Sequence, residues 1–258
     1  MKVDTLQSSP PFSLVIADIH LQPHSHPINR AFLDFLHSQA PKAEALYILG
    51  DLFEMWVGDD IGMEHYQEFV SVFKQLKAQG VEIYLLYGNR DFLMKRRFFA
   101  ETGIEKLDDI ELIERYGHNY IMLHGDSLCT DDKGYQKMRR WFRKPWVQWL
   151  FLKLSRHQRL KIGLSMRQSS QQHSQNKNQS IMDVNPEAVQ SLFTDYAPTC
   201  FMLHGHTHRP AVHQHNLNHA DKKRYVLGDW RLNGKKQVDA EIIKLDASGP
   251  QLVDFQQL

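Results

Sequence analysis

The sequence predicts a layered α/β fold with a partly parallel sheet, contained in a chain of 258 residues. Short apolar runs of strand length alternate with segments of helical periodicity, a pattern typical of such folds. Histidine, asparagine and acidic side chains follow directly on several of these runs. The length suits one α/β domain, or one such domain that carries a sizeable insertion, and the hydrophobic content of 42% is enough for a core.

The N-terminal third of the chain predicts alternating strands and helices. The apolar runs FSLVIA, ALYIL and VEIYLLY have the length of buried strands. Between them, apolar residues recur at helical spacing, first after Pro27 and again before Gly80, which ends the second helix. The predicted elements are a strand at 12–17, a helix with Ile28, Phe32, Phe35 and Leu36 on its apolar face, a strand at 45–49, a helix with Tyr66, Phe69, Val70, Phe73 and Leu76 on its apolar face, and a strand at 81–87.

The rest of the chain predicts a hairpin, a helical insertion and a return to strands. Residues 110–115 and 120–123 flank the turn Gly117-His118-Asn119. We expect a single domain over 1–258 with a mostly helical insertion at 131–196, which includes a loosely ordered, Gln/Ser/Asn-rich loop at 168–180. Further strands are predicted at 199–203, 224–227, 238–244 and 251–255.

Charge is distributed unevenly along the chain. Residues 133–182 contain twelve Lys or Arg and no Asp or Glu, whereas the remainder carries 19 basic and 30 acidic residues. The formal net charge of +1 hides this asymmetry. A basic segment on an acidic body predicts an anionic partner for that segment.

Cysteine usage and hydropathy predict a cytoplasmic protein. Cys129 and Cys200 form no CxxC pattern and no disulfide framework, so a reducing compartment is expected. Residues 1–11 lack the apolar core of a signal peptide. The most apolar short stretch, 146–154, falls short of the roughly 20 residues that a membrane span needs. Any membrane contact is therefore expected at the surface.

Five clusters of Asp, His and Asn carry the chemistry. In α/β sheets, ligands bind beyond the carboxyl ends of the strands, so clusters that follow apolar runs converge at one edge. Adjacent glycines let the backbone turn sharply near a bound ion or phosphate. The clusters are Asp18-x-His20, Gly50-Asp51, Gly88-Asn89-Arg90-Asp91, His124-Gly125-Asp126 and His204-Gly205-His206-Thr207-His208.

These side chains predict a site for two divalent metal ions. Two-metal sites hold their ions roughly 3.5–4 Å apart and stabilise the attacking and leaving oxygens of an in-line displacement. Mixed nitrogen and oxygen ligands without Cys favour Mn, Fe or Zn over Ca or Mg. We expect one ion at Asp18, His20 and His208, a second ion at Asn89, His124 and His206, and Asp51 as the bridge between them.

Taken singly, each cluster has a simpler explanation. An Asp-x-His or Gly-Asn-x-Asp sequence after a strand is usually a turn, and Gly-His-x-His alone is a weak metal signal. Histidine pairs of the same spacing occur at His24/His26 and at His213/His215, which we expect in surface loops. The order of all five clusters makes the prediction specific.

This ordered set resembles the calcineurin-like metallophosphoesterase family, with the last cluster matching at Gly205-His206-Thr207-His208. The resemblance covers the body of the chain and implies a two-sheet β-sandwich flanked by helices, with the helical insertion as a cap. It also implies that the histidines of Gly-His-Thr-His are metal ligands, whereas His204 has a structural or supporting role.

Longer stretches are similar to the UDP-2,3-diacylglucosamine diphosphatases of lipid A biosynthesis. They are LGDLFEMWVGDD (49–60), GNRDFLM (88–94), HGDSLCTDD (124–132), IMDVN (181–185) and HGHTHRPAVH (204–213). This resemblance implies hydrolysis of the diphosphate to UMP and 2,3-diacylglucosamine 1-phosphate (lipid X), with two Mn²⁺ ions per chain. It also implies a peripheral position on the cytoplasmic side of the bacterial inner membrane. We expect a monomer with no nucleic-acid partner.

The same resemblance assigns residues around the substrate. Arg90 would stabilise charge on the phosphoryl group while water activated by the metals attacks phosphorus in line; the alternative is an exposed turn arginine. Asn89 and His206 would serve both metal and substrate. The family's substrate-contact positions in the insertion fall on Asp132, Ser170, Ser174 and Lys177.

The insertion suits a lipid with an anionic head. We expect charge reversal at Arg139, Arg140 and Arg143 to weaken binding of the lipid or of vesicles. Apolar residues would take the acyl chains or a membrane surface, although the alternative is a helical face packed on the body. These residues are Trp141, Phe142, Trp146, Val147, Trp149, Leu150 and Phe151.

Two other functions remain open from the sequence. Another enzyme of the same metal scaffold, a nuclease or protein phosphatase, would carry the same ligands, and a nuclease would favour a long basic groove. A catalytically inactive scaffold that binds partners usually lacks ligands, and here all seven are present.

Overall fold

The structure is a computed structural model in which residues 10–176, 183–217 and 220–258 are described, apart from the side chains of 170–176. The strands that were predicted in the N-terminal third are present close to their predicted bounds. The described strands are β1 (Ser13–Ile16), β2 (Ala45–Ile48), β3 (Glu82–Leu85), β4 (Glu105–Lys106), β5 (Ile110–Arg115), β6 (His118–Leu123), β7 (Phe201–His204), β8 (Ala211–Leu217), β9 (Ala220–Val226), β10 (Arg231–Leu232), β11 (Val238–Asp239), β12 (Glu241–Asp246) and β13 (Gly249–Asp254).

Two sheets form the centre of the fold. The first has the strand order β13-β12-β1-β2-β3-β4, and its β1–β4 part is parallel. The second has the order β5-β6-β7-β9-β8, and β6, β7 and β9 are parallel. The ribbon of β10 and β11 is separate. Because parallel strands end at a common edge, each sheet collects the loops that follow its central strands on one side.

The described helices flank the sheets and fill the predicted insertion. Within the described ranges, no helix combines the length and apolar character that crossing a bilayer requires. The helices are α1 (Pro27–Ser38), α2 (Asp59–His65), α3 (Gln67–Ala78), α4 (Arg96–Thr102), α5 (Lys133–Phe142), α6 (Pro145–Lys153), α7 (Arg156–Asn176) and α8 (Pro186–Asp195).

Alternation of side chains along the strands creates apolar layers on both faces of each sheet. On β1, Leu14 and Ile16 join the core under α1 to α4, whereas Val15 lies in the core between the two sheets. On the outer face of the second sheet, Phe193 of α8 packs with Met202 of β7. The predicted two-sheet sandwich flanked by helices is therefore confirmed.

The hairpin turn is shorter than predicted. Arg115 pairs with His118, so Tyr116 and Gly117 alone connect β5 to β6. Their φ angles are 54° and 80°, and positive φ at both positions is what a two-residue turn of this hand requires. His118 and Asn119 consequently belong to the strand.

Two further local predictions were wrong. The loop expected at 168–180 is helical up to Asn176, because α7 continues through the Gln-rich segment, and Gln is among the better helix formers. Residues 177–180 lie outside the described residues. His213 and His215 lie in β8 rather than in a surface loop, and they pair with Arg224 and Lys222 of β9.

Ion pairs hold the basic helices α5 and α7 against the acidic body. Arg159 is 5% exposed and binds Asp60 through two contacts, Nη1–Oδ1 at 2.8 Å and Nη2–Oδ2 at 2.5 Å. Five of the twelve basic residues that predicted an external anionic partner are therefore paired within the chain. The other such pairs among the described residues are Arg139–Asp109, Arg139–Asp126, Arg143–Asp109, Arg143–Asp126, Arg156–Glu64 and Arg167–Glu54.

We predict that Asp59→Ala lowers the free energy of unfolding by about 2 kcal/mol. The Asp59 carboxylate accepts hydrogen bonds from three backbone N–H groups at the start of α4, at 2.9–3.2 Å, and from the indole of Trp56 at 3.1 Å. Urea denaturation measures the change. Asp34→Ala, at an exposed position of α1, is the control and should change the free energy by less than about 0.5 kcal/mol. Equal losses in both variants would contradict the prediction.

Candidate functional site

The structure brings all seven predicted metal-binding side chains to one edge of the sandwich. Backbone hydrogen bonds continue past the strand ends, from Asp18 N to Gly50 O at 3.1 Å and from Gly205 N to His124 O at 2.9 Å. The loops are therefore held in register with the sheets. Asp18 and His20 follow β1, Asp51 follows β2, Asn89 follows β3, His124 follows β6, and His206 and His208 follow β7.

Five of these residues have a positive φ angle, a backbone conformation that residues other than glycine rarely adopt. Each such residue costs on the order of 1–3 kcal/mol and persists where the surrounding structure enforces it. Their concentration at one edge indicates a functional site. The φ angles are 54° at Asp18, 52° at His20, 52° at Asp51, 69° at His206 and 54° at His208.

One group of ligand atoms forms around Asp18, His20 and His208. Asp18 Oδ1 lies 3.4 Å from His208 Nε2, and the Nε2 atoms of His20 and His208 are 3.5 Å apart. A ligand atom of each residue lies within 4.8 Å of the other two. These are the three residues that the sequence assigned to a first ion.

A second group forms around His124, whose Nε2 lies 3.1 Å from Asn89 Oδ1 and 3.2 Å from His206 Nδ1. Asp51 stands between the groups. Its Oδ1 is 3.8 Å from His124 Nε2, and its Oδ2 is 4.0 Å from His20 Nε2. One carboxylate therefore presents an oxygen to each group, which is the arrangement of a bridging ligand.

The donor set fits divalent cations. Asp18 is fully buried, and its Oδ1 makes no hydrogen bond of normal geometry with any described residue. Two pairs of imidazole nitrogens face each other, and each pair can share only one proton. Cations between these atoms would use the free lone pairs. The two groups of atoms therefore support a site for metal ions.

Burial keeps two of the histidines unprotonated. It is the largest cause that lowers the pKa of His20 well below its usual value and that of His206 to about 4. The neutral imidazole is the form that binds a metal ion. Burial also lowers the pKa of His208, but the carboxylates of Asp18, Asp229 and Asp51 together outweigh burial and raise this pKa to about 9. An ion bound there would displace a proton.

Three ligand histidines have a polar group near the nitrogen that faces away from the other ligands. His124 Nδ1 lies 2.8 Å from the carbonyl oxygen of Leu49. His20 Nδ1 makes no hydrogen bond with any described residue, but it lies 3.6 Å from Glu54 Oε2. His208 Nδ1 lies 3.5 Å from Asp229 Oδ2. The hydrogen bond at His124 orients its ring and fixes its tautomer, whereas at His20 and His208 the nearby carboxylate acts on the ring through its charge. Sequence reasoning missed both carboxylates, because no local pattern distinguishes them from other acidic residues.

Asp126, the last residue of His-Gly-Asp, connects the ligand cluster to α5. Its buried carboxylate accepts hydrogen bonds from Tyr135 Oη at 3.1 Å and from Arg139 Nε at 2.6 Å. Burial raises the pKa of Asp126, but the nearby cationic groups, His124 and Arg139 foremost, together outweigh burial and hold this pKa well below the usual range. The sequence identified the motif and not this role.

His204 does not point at the ligand cluster. Its Nε2 accepts a hydrogen bond from Arg224 Nη1 at 3.0 Å, and its Nδ1 lies 2.8 Å from the carbonyl oxygen of Gly205. Both ring nitrogens are therefore engaged, which agrees with the structural role predicted for it.

A cavity of about 840 Å³ runs from the ligand cluster to the space beneath the helices of the insertion. Asn89, Arg90, His206 and His208 lie at its polar end. Pockets of this size accommodate organic ligands, and this one joins a polar end to an apolar chamber. The chamber is lined by Met55, Val57, Phe92, Leu93, Met138, Phe142, Val147, Phe151 and Met166.

The apolar residues that the sequence grouped together in the insertion divide into two sets. Phe142, Val147 and Phe151 line the cavity. The second set faces outward, so packing of the whole apolar face on the body is excluded. Its members are Trp141, Trp146, Trp149 and Leu150, which are 48%, 51%, 59% and 52% exposed.

The predicted role of the insertion's arginines needs correction. Arg139 and Arg143 are only 16% and 15% exposed and bind Asp109 and Asp126. They fasten α5 to the body and do not offer free charge to a membrane. Among the three arginines chosen for charge reversal, only Arg140 is exposed.

The structure describes the side chains of some predicted substrate-contact residues and not of others. Arg90 lines the cavity, and its backbone N–H donates to Asp51 Oδ1 at 2.9 Å. It is not an exposed turn arginine, since its side chain is 21% exposed. Asp132 lines the cavity and caps α5 by accepting from Tyr135 N at 3.0 Å. The side chains of Ser170 and Ser174, and all of Lys177, lie outside the described residues.

A family model described as calcineurin-like phosphoesterase matches residues 13–210, and the chain belongs to this family. The family and the ligand cluster together define a metal-dependent hydrolase that acts on phosphorus–oxygen bonds. The predicted superfamily resemblance is confirmed.

Curated relatives of this chain share one name within this class of hydrolase. The chain is 44% identical over 243 residues to the UDP-2,3-diacylglucosamine hydrolase of Serratia proteamaculans, an alignment that covers 94% of this chain and 98% of that protein. The protein of the same name from Yersinia enterocolitica is 43% identical with the same coverage. The one from Photorhabdus laumondii is 46% identical over 222 residues, covering 86% of this chain and 92% of that protein.

We predict that Asp229→Asn weakens metal binding roughly 10- to 100-fold, since the His208 ring loses the nearby carboxylate and its charge. Calorimetric titration of the metal-free protein with Mn²⁺ measures the affinity. The control is Asp221→Asn at an exposed position of β9, which should bind like the wild type. Unchanged affinity in Asp229→Asn would show that His208 binds the metal ion without this contact.

Proposed function

We propose that this chain hydrolyses the diphosphate of UDP-2,3-diacylglucosamine to UMP and 2,3-diacylglucosamine 1-phosphate. The observation that carries the proposal is the single cavity that joins the ligand cluster to an apolar chamber. The diphosphate of such a substrate suits the polar end, and its acyl chains suit the chamber. The shared name of relatives at 43–46% identity supports the same substrate.

The metal site is proposed to hold two Mn²⁺ ions. Asp18, His20 and His208 would hold one ion, Asn89, His124 and His206 the other, and Asp51 both. Nitrogen and oxygen donors without thiolate suit manganese. When bound, the two ions would stabilise charge on the phosphoryl oxygens and generate a nucleophile from water at neutral pH.

Three residues are proposed to act on the reacting phosphoryl group. Arg90 presents a guanidinium, which forms paired hydrogen bonds with phosphate oxygens. Asn89 is a neutral ligand, so it leaves more positive charge at the site than a carboxylate would. His206 is unprotonated and lies at the cavity wall. These groups would stabilise the charge that develops during in-line displacement without a covalent intermediate.

The segment 131–196 is proposed to act as a cap over this site within a single domain. Its inward side chains Phe142, Val147 and Phe151 would contact the acyl chains. Asp132 at the cavity wall supports a substrate contact at that position. The assignments of Ser170, Ser174 and Lys177 rest on the resemblance of the sequence alone.

The outer face of the cap is proposed to contact the membrane. Trp141, Trp146 and Trp149 are exposed, and Lys144 and Lys153 lie over two of these rings at 5.3 and 5.4 Å. Aromatic rings beside basic groups suit the interface of an anionic bilayer. We propose a monomer attached peripherally to the cytoplasmic side of the inner membrane.

Removal of central ligands should abolish activity. We expect Asp51→Ala and His124→Ala to reduce kcat at least about 1,000-fold, because the ions lose the bridge or an essential donor. Phosphate release from UDP-2,3-diacylglucosamine, coupled to a phosphatase that cleaves UMP, measures turnover with Mn²⁺ and with chelator. The far-ultraviolet circular dichroism of both variants should match the wild type.

The matched control is His24→Ala. His24 belongs to a histidine pair of similar spacing, and its side chain is exposed. It should turn over like the wild type. Wild-type turnover in Asp51→Ala or His124→Ala would refute the metal mechanism, and an inactive wild type would refute the proposed substrate.

The two faces of the cap should be separable by mutation. We expect the double variant Trp146→Ser and Trp149→Ser to reduce binding to vesicles of anionic phospholipid about tenfold, because the exposed rings no longer enter the interface. Its kcat on detergent-dispersed substrate should stay within about twofold of the wild type. Vesicle sedimentation and steady-state kinetics measure these effects.

Phe142→Ala is the matched variant on the inner face. It should raise the KM for the lipid substrate and leave vesicle binding unchanged, because its ring lines the cavity. Wild-type sedimentation of the tryptophan double variant would refute the membrane role of the outer face.

A further inference from the structure

We propose that Glu54 is a positioning residue that fixes Arg90 at the polar end of the cavity and ties it, through Arg167, to helix α7. This inference rests on the hydrolysis proposed above and adds a residue to its machinery. None of the sequence patterns singled out Glu54, although it lies three residues beyond Asp51.

The backbone sets the place of Glu54 beside the ligands. Its N–H donates to the carbonyl oxygen of Leu21 at 2.9 Å, and Leu21 forms an isolated parallel bridge with Phe53. The segment that follows Asp51 therefore runs alongside the segment that follows Asp18. The Glu54 residue is 7% exposed and still forms part of the cavity wall.

Two guanidinium groups meet at a single oxygen of this carboxylate. Glu54 Oε1 lies 2.9 Å from Arg90 Nη1 and 2.5 Å from Arg167 Nε. The carbonyl oxygen of Glu54 accepts from the same Arg90 Nη1 at 3.2 Å, and the backbone N–H of Arg90 is held by Asp51. Because a guanidinium is planar, holding one of its nitrogens at two points restricts the direction of the others.

The pairing couples the cap to the site. A buried carboxylate is stable only when charged partners compensate its desolvation, and removing one partner of such a pair is strongly unfavourable. Arg90 comes from the loop after β3, whereas Arg167 comes from α7. Glu54 is therefore fully compensated only when α7 is seated over the cavity, and in that state Arg90 is held in place.

A competing role has to be separated by experiment. Glu54 Oε2 lies 3.6 Å from His20 Nδ1, so the carboxylate could act on the metal site through His20 instead. That role would change metal content and would act independently of Arg90. The proposed role leaves metal content unchanged and disappears when Arg90 is absent.

The test compares Glu54→Gln, which keeps the shape and removes the charge, with Glu64→Gln as control. Glu64 pairs with Arg156 at the other end of α7, and both side chains are exposed. We expect Glu54→Gln to lower kcat at least about tenfold with KM within about threefold, and to retain two Mn²⁺ per chain by elemental analysis. In an Arg90→Ala background, Glu54→Gln should lower kcat by less than about a further threefold, because the effects of residues that act as a unit are not additive.

A second readout does not depend on the substrate. Hydrogen exchange of the α7 amides around Arg167 should accelerate in Glu54→Gln and in Arg167→Met and not in Glu64→Gln. An inactive wild type would refute the proposed substrate, and the exchange would still test the link to α7. Any of three results for Glu54→Gln would overturn the positioning role. They are hydrogen exchange in α7 at the wild-type rate, loss of bound Mn²⁺, or a full reduction of kcat in the Arg90→Ala background.

Discussion

The position of Asp51 is the constraint on which the site depends. Its two oxygens face different groups of ligand atoms, which can happen only if β2 lies inside the first sheet and the second sheet ends at the same edge. Unfavourable backbone angles at Asp51 and four other candidate ligands are the local cost of this convergence. The hydrogen bonds between adjacent loops and the apolar layers on both sides of each sheet keep the residues there.

Charge complementarity within the chain explains an otherwise misleading feature of the sequence. In the basic segment that suggested an external anionic partner, five of the twelve basic residues pair with acidic residues of the body. They are Arg139, Arg143, Arg156, Arg159 and Arg167. The exposed pairs, such as Arg156–Glu64, contribute little to the free energy of unfolding. The partly buried pairs at Arg139, Arg159 and Arg167 determine where the helices of the insertion lie. The exposed lysines beside the tryptophans, Lys144 and Lys153, are among the charges still available to an anionic surface.

The insertion therefore has two apolar surfaces with different surroundings. One lines the cavity that begins at the ligand cluster, and the other faces solvent. A short amphipathic segment can serve both, because consecutive positions on a helix point in different directions. This division gives the proposed lipid substrate a path from a membrane surface to the polar end of the cavity.

The sequence by itself determined the features that depend on local patterns. Apolar runs and helical spacing located the elements of the N-terminal third and the helical insertion, and polar residues directly after strands identified the seven residues that the structure brings together. It missed β8, whose polar AVHQHNL segment becomes a strand only by pairing with β9, and it took a helical Gln-rich segment for a loop. Only the tertiary structure places Glu54 next to His20 and Asp229 next to His208. It alone shows that Arg139 and Arg143 bind acidic residues of the body, and which aromatic residues face the cavity. The physical reason is that each of these contacts joins segments far apart in the chain. Such contacts depend on how the elements pack together, and the spacing of residues along the sequence does not contain that information.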